Sequence, residues 1–258
     1  YKAAGLSRRE SPARHQALPA EAAGRDARFP PARAALAELR HAEGEYVQAL
    51  AHAEAALSSG ADPDALGAGA RADLERLAAR AAAALEDHEA ARRHLSVYCD
   101  FEPEDLEALE ELAGLHRRLG ETGPLVDALG KLGLCLEPAQ AGAALRERAA
   151  LLARIDGRRD EAIESWRSAL ALLPDDETSL EGLAGLLTAR GEAAERARLL
   201  ARLAELARDT ERRHQLLFAC GEALLEAGRH ADAAGAFGEA ARDGSHAATA
   251  LERLAQAA

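Results

Sequence analysis

The clearest hydrophobic pattern in the chain lies between Gly157 and Pro174, in the stretch GRRDEAIESWRSALALLP. Ala162, Trp166 and Ala169 stand at positions i, i+4 and i+7, which places them on one stripe of an α-helix. A glycine can adopt the left-handed conformation that ends the helix before this stretch, and the proline after it cannot continue the helix. The spacing therefore predicts one short helix between two turns. Such a helix buries its apolar face only when neighbouring helices pack against it.

The same spacing recurs along most of the chain. Asp175 and Asp176 follow the proline and are suited to cap a further helix, after which a pattern of helix, turn and helix begins again. We predict about six such helix pairs in residues 30–246. Residues 1–29 are predicted to be a partly irregular leader or linker, and residues 247–258 the first helix of a truncated further repeat.

Two of the predicted pairs depart from this pattern. In the second pair the turn glycine is missing, and Glu86 and Asp87 stand in its place. The fifth pair ends in Arg208 and Asp209 instead of a proline, so we expect its second helix to run on beyond the usual length.

The pattern resembles the tetratricopeptide repeat (TPR), a unit of about 34 residues with small, large and proline positions at these places. Ala162, Trp166, Ala169 and Pro174 carry the resemblance. It implies an all-α fold, a right-handed α-solenoid of stacked helix-turn-helix repeats, with a role in holding another molecule. Sel1-like, HAT and pentatricopeptide repeats are neighbouring interpretations, of which the last two mostly serve RNA.

The composition agrees with a helical chain. Apolar residues make up 48% of the sequence but aromatic residues only 3%. Most of the apolar residues are alanine and leucine, which favour helices. The bias towards alanine, arginine, leucine and glycine is typical of GC-rich bacterial genomes. The chain starts at Tyr1 and has no methionine, so we expect a fragment of a longer bacterial protein, in which a signal peptide cannot be judged.

The net charge and the cysteines indicate which kinds of partner and which cellular compartment to expect. The net charge of −12 argues against nucleic acid as a partner, and no apolar run is long enough for a transmembrane helix. Cys99, Cys135 and Cys220 are far apart in the sequence and are expected to be small buried residues in a reducing compartment, so we expect a cytoplasmic protein.

The sequence predicts neither catalysis nor a cofactor. Nine histidines are present, but no HExxH or CxxC motif accompanies them, and we expect them to be solvated or to cap helices. The many carboxylates lie at predicted helix starts, where they interact with the helix dipole. Because the chain has no asparagine, the asparagine-and-lysine clamp with which some TPR domains hold chaperone tails cannot form in its usual way.

The resemblance also implies where a protein or peptide segment would bind, since first-helix residues line the concave groove of TPR proteins. Carried over position by position, this groove comprises Arg76, Arg80, Glu107, Glu110, Arg117, Arg118, Glu147, Arg154, Glu181, Gln215, Phe218, Glu222 and Glu226. Arginines dominate its N-terminal part and glutamates its C-terminal part. We therefore expect a partner that is acidic at one end and basic at the other, with an apolar residue near Phe218.

Our main hypothesis is a non-catalytic protein-binding scaffold. Two alternatives stay open on the sequence alone. The chain could be the regulatory arm of a larger enzyme, or a structural subunit that assembles end to end through its terminal helices.

Overall fold

The structure, a computed structural model, describes residues 30–58 and 66–242, together with 249, 252, 253 and 255. The two continuous ranges contain twelve α-helices and no strand: α1 (Pro30–Ala42), α2 (Tyr46–Leu57), α3 (Ala68–Ala84), α4 (His88–Phe101), α5 (Leu106–Leu119), α6 (Thr122–Cys135), α7 (Pro138–Leu152), α8 (Arg159–Leu172), α9 (Glu177–Arg190), α10 (Ala193–Leu206), α11 (Thr210–Glu226) and α12 (His230–Ala240). The predicted all-α helical-repeat class is confirmed. The right-handed superhelix stays a prediction, as does the division into 1–29, 30–246 and 247–258, because the leader and most of the last segment lie outside the described residues.

The chain divides between Pro124 and Leu125 into two compact units. In the first unit, α1 to α5 pack against their neighbours in the sequence, and α1 also contacts α3. Its core is built largely from alanine, with Ala37, Ala53 and Ala78 almost fully buried around Leu74. Small side chains let the helix backbones approach closely, so the thin alanine-rich helices still form a packed core.

In the second unit, α7 to α12 also pack in sequence order, and α7 contacts α9. Trp166 on α8 is only 4% exposed and packs among Leu152 of α7 and Leu183 and Leu187 of α9. This side chain is therefore buried between the first helix of its own pair and the first helix of the next pair. A second cluster surrounds the fully buried Phe237 of α12.

Turns and caps set the register of the helices. Five glycines with φ between 71° and 81° separate the two helices of a pair, namely Gly44, Gly120, Gly157, Gly191 and Gly228. In the remaining pair, α3 and α4, Glu86 takes this place with φ of 60°, a conformation that costs an L-residue free energy. Asp176 caps α9 as predicted, because its carboxylate accepts a hydrogen bond of 2.9 Å from the amide of Ser179.

Two sequence-based expectations are wrong. The second helix of the fifth pair, α10, does not run on but ends at Leu206, because Ala207 is extended and Asp209 already caps α11. Of the three cysteines, Cys99 and Cys220 are buried as expected, whereas Cys135 is exposed at the end of α6.

Candidate partner-binding site

A cavity of about 310 Å³ opens between α9, α10 and α11 in the second unit. We call it the first-helix pocket, because most of its lining comes from α9 and α11, the first helices of two successive pairs: Glu181, Ala184, Gly185, Arg196, Leu200, Leu203, Arg212, Gln215, Leu216 and Ala219. The four residues Ala184, Leu200, Leu203 and Leu216 are buried core residues and give the pocket an apolar floor.

Small side chains create this space. A Cβ atom placed on Gly185 would meet no heavy atom within 4 Å, and Ala184 and Ala219 project little more than a methyl group. Glycine and alanine do not interrupt the helix here. The backbone stays helical, but these residues leave the space beside it unfilled by side chains. An apolar side chain of a partner could occupy this volume.

Ion pairs surround the opening of the first-helix pocket. Arg212 on α11 donates a hydrogen bond of 2.6 Å to Glu181 on α9, and both side chains are about half exposed. Arg196 on α10 contacts Glu226 on α11 at 3.3 Å. The pair between Glu181 and Arg212 is exposed on both sides and contributes only about 0–1 kcal/mol, so a partner can exchange its contacts at little cost.

Three glutamates of the predicted acidic end of the groove form ion pairs. Glu181 and Glu226 are bound to Arg212 and Arg196, and Glu222 contacts Arg253 at 3.0 Å. The predicted glutamates therefore do not form a purely acidic surface. Sequence reasoning omitted the arginines, although a spacing of 31 residues between Glu181 and Arg212, close to one repeat, is a usable signal.

Phe218 is less available than predicted. Its ring lies edge-on to the ring of Phe237 with centroids 5.4 Å apart, and it packs partly buried against the core of the second unit. Gln215, three residues earlier on the same helix, is exposed and lines the first-helix pocket. The ring of Phe218 therefore packs on the core, whereas Gln215 lies beside the apolar floor of the first-helix pocket.

Arg76, which is also predicted to line the groove, is buried in the structure. This residue of α3 is only 7% exposed, and its guanidinium donates hydrogen bonds of 2.9 and 3.2 Å to Glu111 of α5. It also lies 3.7 Å from Glu107 and over the ring of Tyr98, 5.3 Å from the centroid. Arg76 thus links α3 and α5, the first helices of two successive pairs.

The remaining predicted residues are found on the helix surfaces of their own units. Five are exposed, namely Arg80, Glu107, Glu110, Arg117 and Arg118, all in the first unit. In the second unit Arg154 is exposed and Glu147 is partly buried. Whether residues of the two units share one groove stays a prediction.

A buried histidine site in the first unit was missed. His94 on α4, 8% exposed, lies 2.7 Å from Glu75 on α3 through Nδ1 and 3.4 Å from Glu54 on α2 through Nε2. Burial acts to lower the pKa of His94, but the hydrogen bond and charge of Glu75, helped by Glu54, raise it above its usual value. His116 and His214 are buried as well, so the expectation of solvated or capping histidines is wrong for these three.

Within the ranges that the structure describes, no group of three or more histidine, cysteine, aspartate or glutamate side chains is arranged to hold a metal ion. None of the described helices combines the length and the apolar character needed to cross a membrane.

Comparison with known proteins supports the fold. No protein-family model and no curated protein sequence matches the chain. Among solved structures, a chain from the structure of Naa15/Naa10 bound to HypK-THB has a TM-score of 0.54 and 15% identity. The match covers 93% of this chain but only 36% of that one.

Two further structures are similar at lower TM-scores. A tetratricopeptide repeat protein from Parabacteroides merdae has 19% identity over 94% of this chain and 90% of that chain, with a TM-score of 0.38. YrrB, described as a TPR protein with an unusual peptide-binding site, has 14% identity over 76% of this chain and 96% of that chain, with a TM-score of 0.41. At these identities the likeness concerns the fold alone. With its left-handed glycine turns and small, large and small core positions, this chain has a TPR-like helical-repeat fold.

Proposed function

We propose that the chain is a non-catalytic scaffold that binds a segment of a partner protein at its first helices, with the first-helix pocket as the anchoring site. The observation that carries this proposal is the combination of an apolar floor and an exchangeable polar rim. The floor accepts an apolar side chain, and Glu181, Arg212 and Gln215 supply donors and acceptors for the partner backbone or polar side chains.

The apolar surface and the weak ion pair at the first-helix pocket favour a binding site over a cavity that serves only the packing of the fold. Leu200 and Leu216 are core residues whose remaining exposed surface lies beside missing side-chain volume, so covering them removes apolar surface from water. The ion pair between Glu181 and Arg212 lies in solvent and stabilises the fold only weakly, so the fold does not depend on keeping it closed.

The test is to fill the pocket with a side chain of the protein itself. Gly185→Leu places a leucine in the open space on α9, and it also replaces a helical glycine by a better helix former. The matched control is Gly114→Leu on α5, because Gly114 occupies the same position relative to its capping aspartate and its Cβ would also meet nothing within 4 Å.

The full chain and both variants serve as baits for affinity capture, with captured proteins identified by mass spectrometry. We expect Gly114→Leu to retain the proteins captured by the wild type and Gly185→Leu to lose at least one of them. Circular dichroism verifies that both variants are folded. Identical capture by all three baits would remove the first-helix pocket from the proposal.

A further inference from the structure

A second cavity, of about 490 Å³, lies between α10 and α12, with α11 beneath it. We call it the second-helix groove. Its walls carry small residues, including Ala201 on α10 and Gly235 on α12, and a Cβ on Gly235 would meet nothing within 4 Å. Leu217 and Cys220 of α11 form its floor. These residues lie on a different face of α11 from those that line the first-helix pocket.

The preceding pair of second helices, α8 and α10, is bridged by one arginine. Arg167 on α8 donates hydrogen bonds of 3.0 and 2.6 Å to the two carboxylate oxygens of Glu195 on α10, and one of 3.1 Å to Glu192. Such a bidentate arginine–carboxylate pair is among the stronger polar contacts in proteins. These contacts lower the pKa of Glu195 below its usual value.

The corresponding arginine is absent from α10. Gly157 and Gly191 adopt the same left-handed conformation before α8 and α10, so residues counted from them occupy equivalent positions. Arg167 is ten residues after Gly157, and the residue ten after Gly191 is Ala201. Ala201 on α10 therefore has only a methyl group at the position where Arg167 on α8 has the side chain that crosses to the next second helix.

The corresponding acid is kept on α12. Glu195, which receives Arg167, is four residues after Gly191, and the residue four after the left-handed Gly228 is Asp232. Asp232 lines the second-helix groove, and its ion pair is with Arg229, three residues earlier on its own helix. The groove thus has a carboxylate at the position of Glu195, but the guanidinium that contacts it comes from Arg229 at the start of α12 and not from α10.

The charges around the second-helix groove are mostly negative. Glu205, Asp232 and Glu239 line it, against one arginine, Arg213. Glu205 pairs with Arg202 of its own helix at 2.6 Å. Among the described residues, none of these three acids forms an ion pair that crosses from α10 to α12.

We propose that the second-helix groove is a docking site for an arginine-bearing segment of a partner protein. The arginine takes the place that Arg167 occupies in the preceding pair and binds Asp232, while an adjacent apolar side chain of the segment covers Leu217. Arginine suits the site because its planar guanidinium matches a carboxylate and its stem packs on the alanine walls. The site is separate from the first-helix pocket and does not depend on it.

The probe is a fluorescein-labelled peptide of alternating alanine, leucine and arginine, with a matched peptide in which the uncharged isostere citrulline replaces arginine. Fluorescence anisotropy with the full chain measures Kd, and amide chemical shifts locate the bound peptide. We expect the arginine peptide to bind and to shift amides of α10 and α12. The citrulline peptide should bind at least about tenfold more weakly, since a charge-assisted hydrogen bond is lost.

Ala201→Arg supplies the missing arginine from within the chain and should raise the Kd of the arginine peptide about tenfold or more. The control is Ala171→Arg on an exposed position of α8, which adds the same charge elsewhere and should leave Kd unchanged. Asp232→Asn, which removes the negative charge without adding volume, should weaken binding similarly. Equal binding by Ala201→Arg and Ala171→Arg, equal binding of the two peptides, or shifts outside α10, α11 and α12 would overturn the proposal.

Discussion

The close contact between Trp166 and Gly182 allows the packing of α8 on α9 to be tested by the addition of a single carbon atom. A Cβ placed on Gly182 would lie 2.5 Å from Cζ2 and 2.6 Å from Cε2 of the Trp166 indole. A rigid aromatic ring cannot move aside as the end of a flexible side chain can, so either the ring or the helix α9 has to shift. We therefore expect Gly182→Ala to destabilise the second unit.

The magnitude follows from two opposing effects. Replacing a helical glycine by alanine gains about 1 kcal/mol from helix propensity. Overpacking a filled core costs about 1–3 kcal/mol, so the net effect of Gly182→Ala on the free energy of unfolding is a loss of about 0–2 kcal/mol. Gly185→Ala, three residues further on the same helix, meets nothing within 4 Å and should gain about 1 kcal/mol.

The assay is urea unfolding of both variants, followed by tryptophan fluorescence and by circular dichroism. Because the chain has a single tryptophan, the fluorescence reports unfolding around Trp166, which is useful in a repeat protein that need not unfold in one step. In a Trp166→Leu background, followed by circular dichroism, the cost of Gly182→Ala should shrink. If Gly182→Ala proves as stabilising as Gly185→Ala, the indole does not pack on α9 in this way.

Three further predictions concern other elements. Glu86→Gly should raise the free energy of unfolding by about 0.5–1 kcal/mol, because the turn needs a positive φ. Gly191→Ala should lower the free energy of unfolding for the same reason. The urea midpoints of the two variants should therefore shift in opposite directions. Trp166→Ala should cost about 3–5 kcal/mol, with hydrogen exchange accelerated first in the neighbouring helices α7 and α9. The ring of His94 contacts Glu75 and Glu54, and Arg93 lies 3.7 Å from Glu54. The raised pKa of His94 implies stabilisation that is complete below pH 6.5 and lost as the pH rises through the raised value. His94→Gln should therefore reduce the melting temperature more below pH 6.5 than well above it, and an equal reduction at both would show that the charge of His94 does not contribute.

Local features of the sequence predicted the fold well. The position of Trp166 and the conformation of Gly157 follow from spacing within one helix and one turn, and both are found as predicted. Even the irregular turn was visible, since Glu86 stands where the other pairs have glycine. These predictions succeed because they depend on residues close together in the sequence.

Side-chain partners from different helices were predicted poorly. Arg76 was placed on an open surface, although its partner Glu111 lies 35 residues away and draws it inward. His94 was expected in solvent, although Glu75 and Glu54 come from two earlier helices. A search for motifs within one helix cannot find such pairs, because the two partners lie on different helices.

Part of this information is nevertheless present in the sequence once the turns define the register. Ion pairs join successive first helices at nearly constant spacing, with 30 residues between Arg146 and Asp176 and 31 between Glu181 and Arg212. An acid whose expected arginine is missing at such a spacing then becomes informative. Asp232 is such an acid, since Ala201 stands where α8 has Arg167. Asp232 is paired with Arg229 of its own helix end, so the docking site proposed above differs from the contact between α8 and α10 in that the arginine reaching across the two helices would come from the partner.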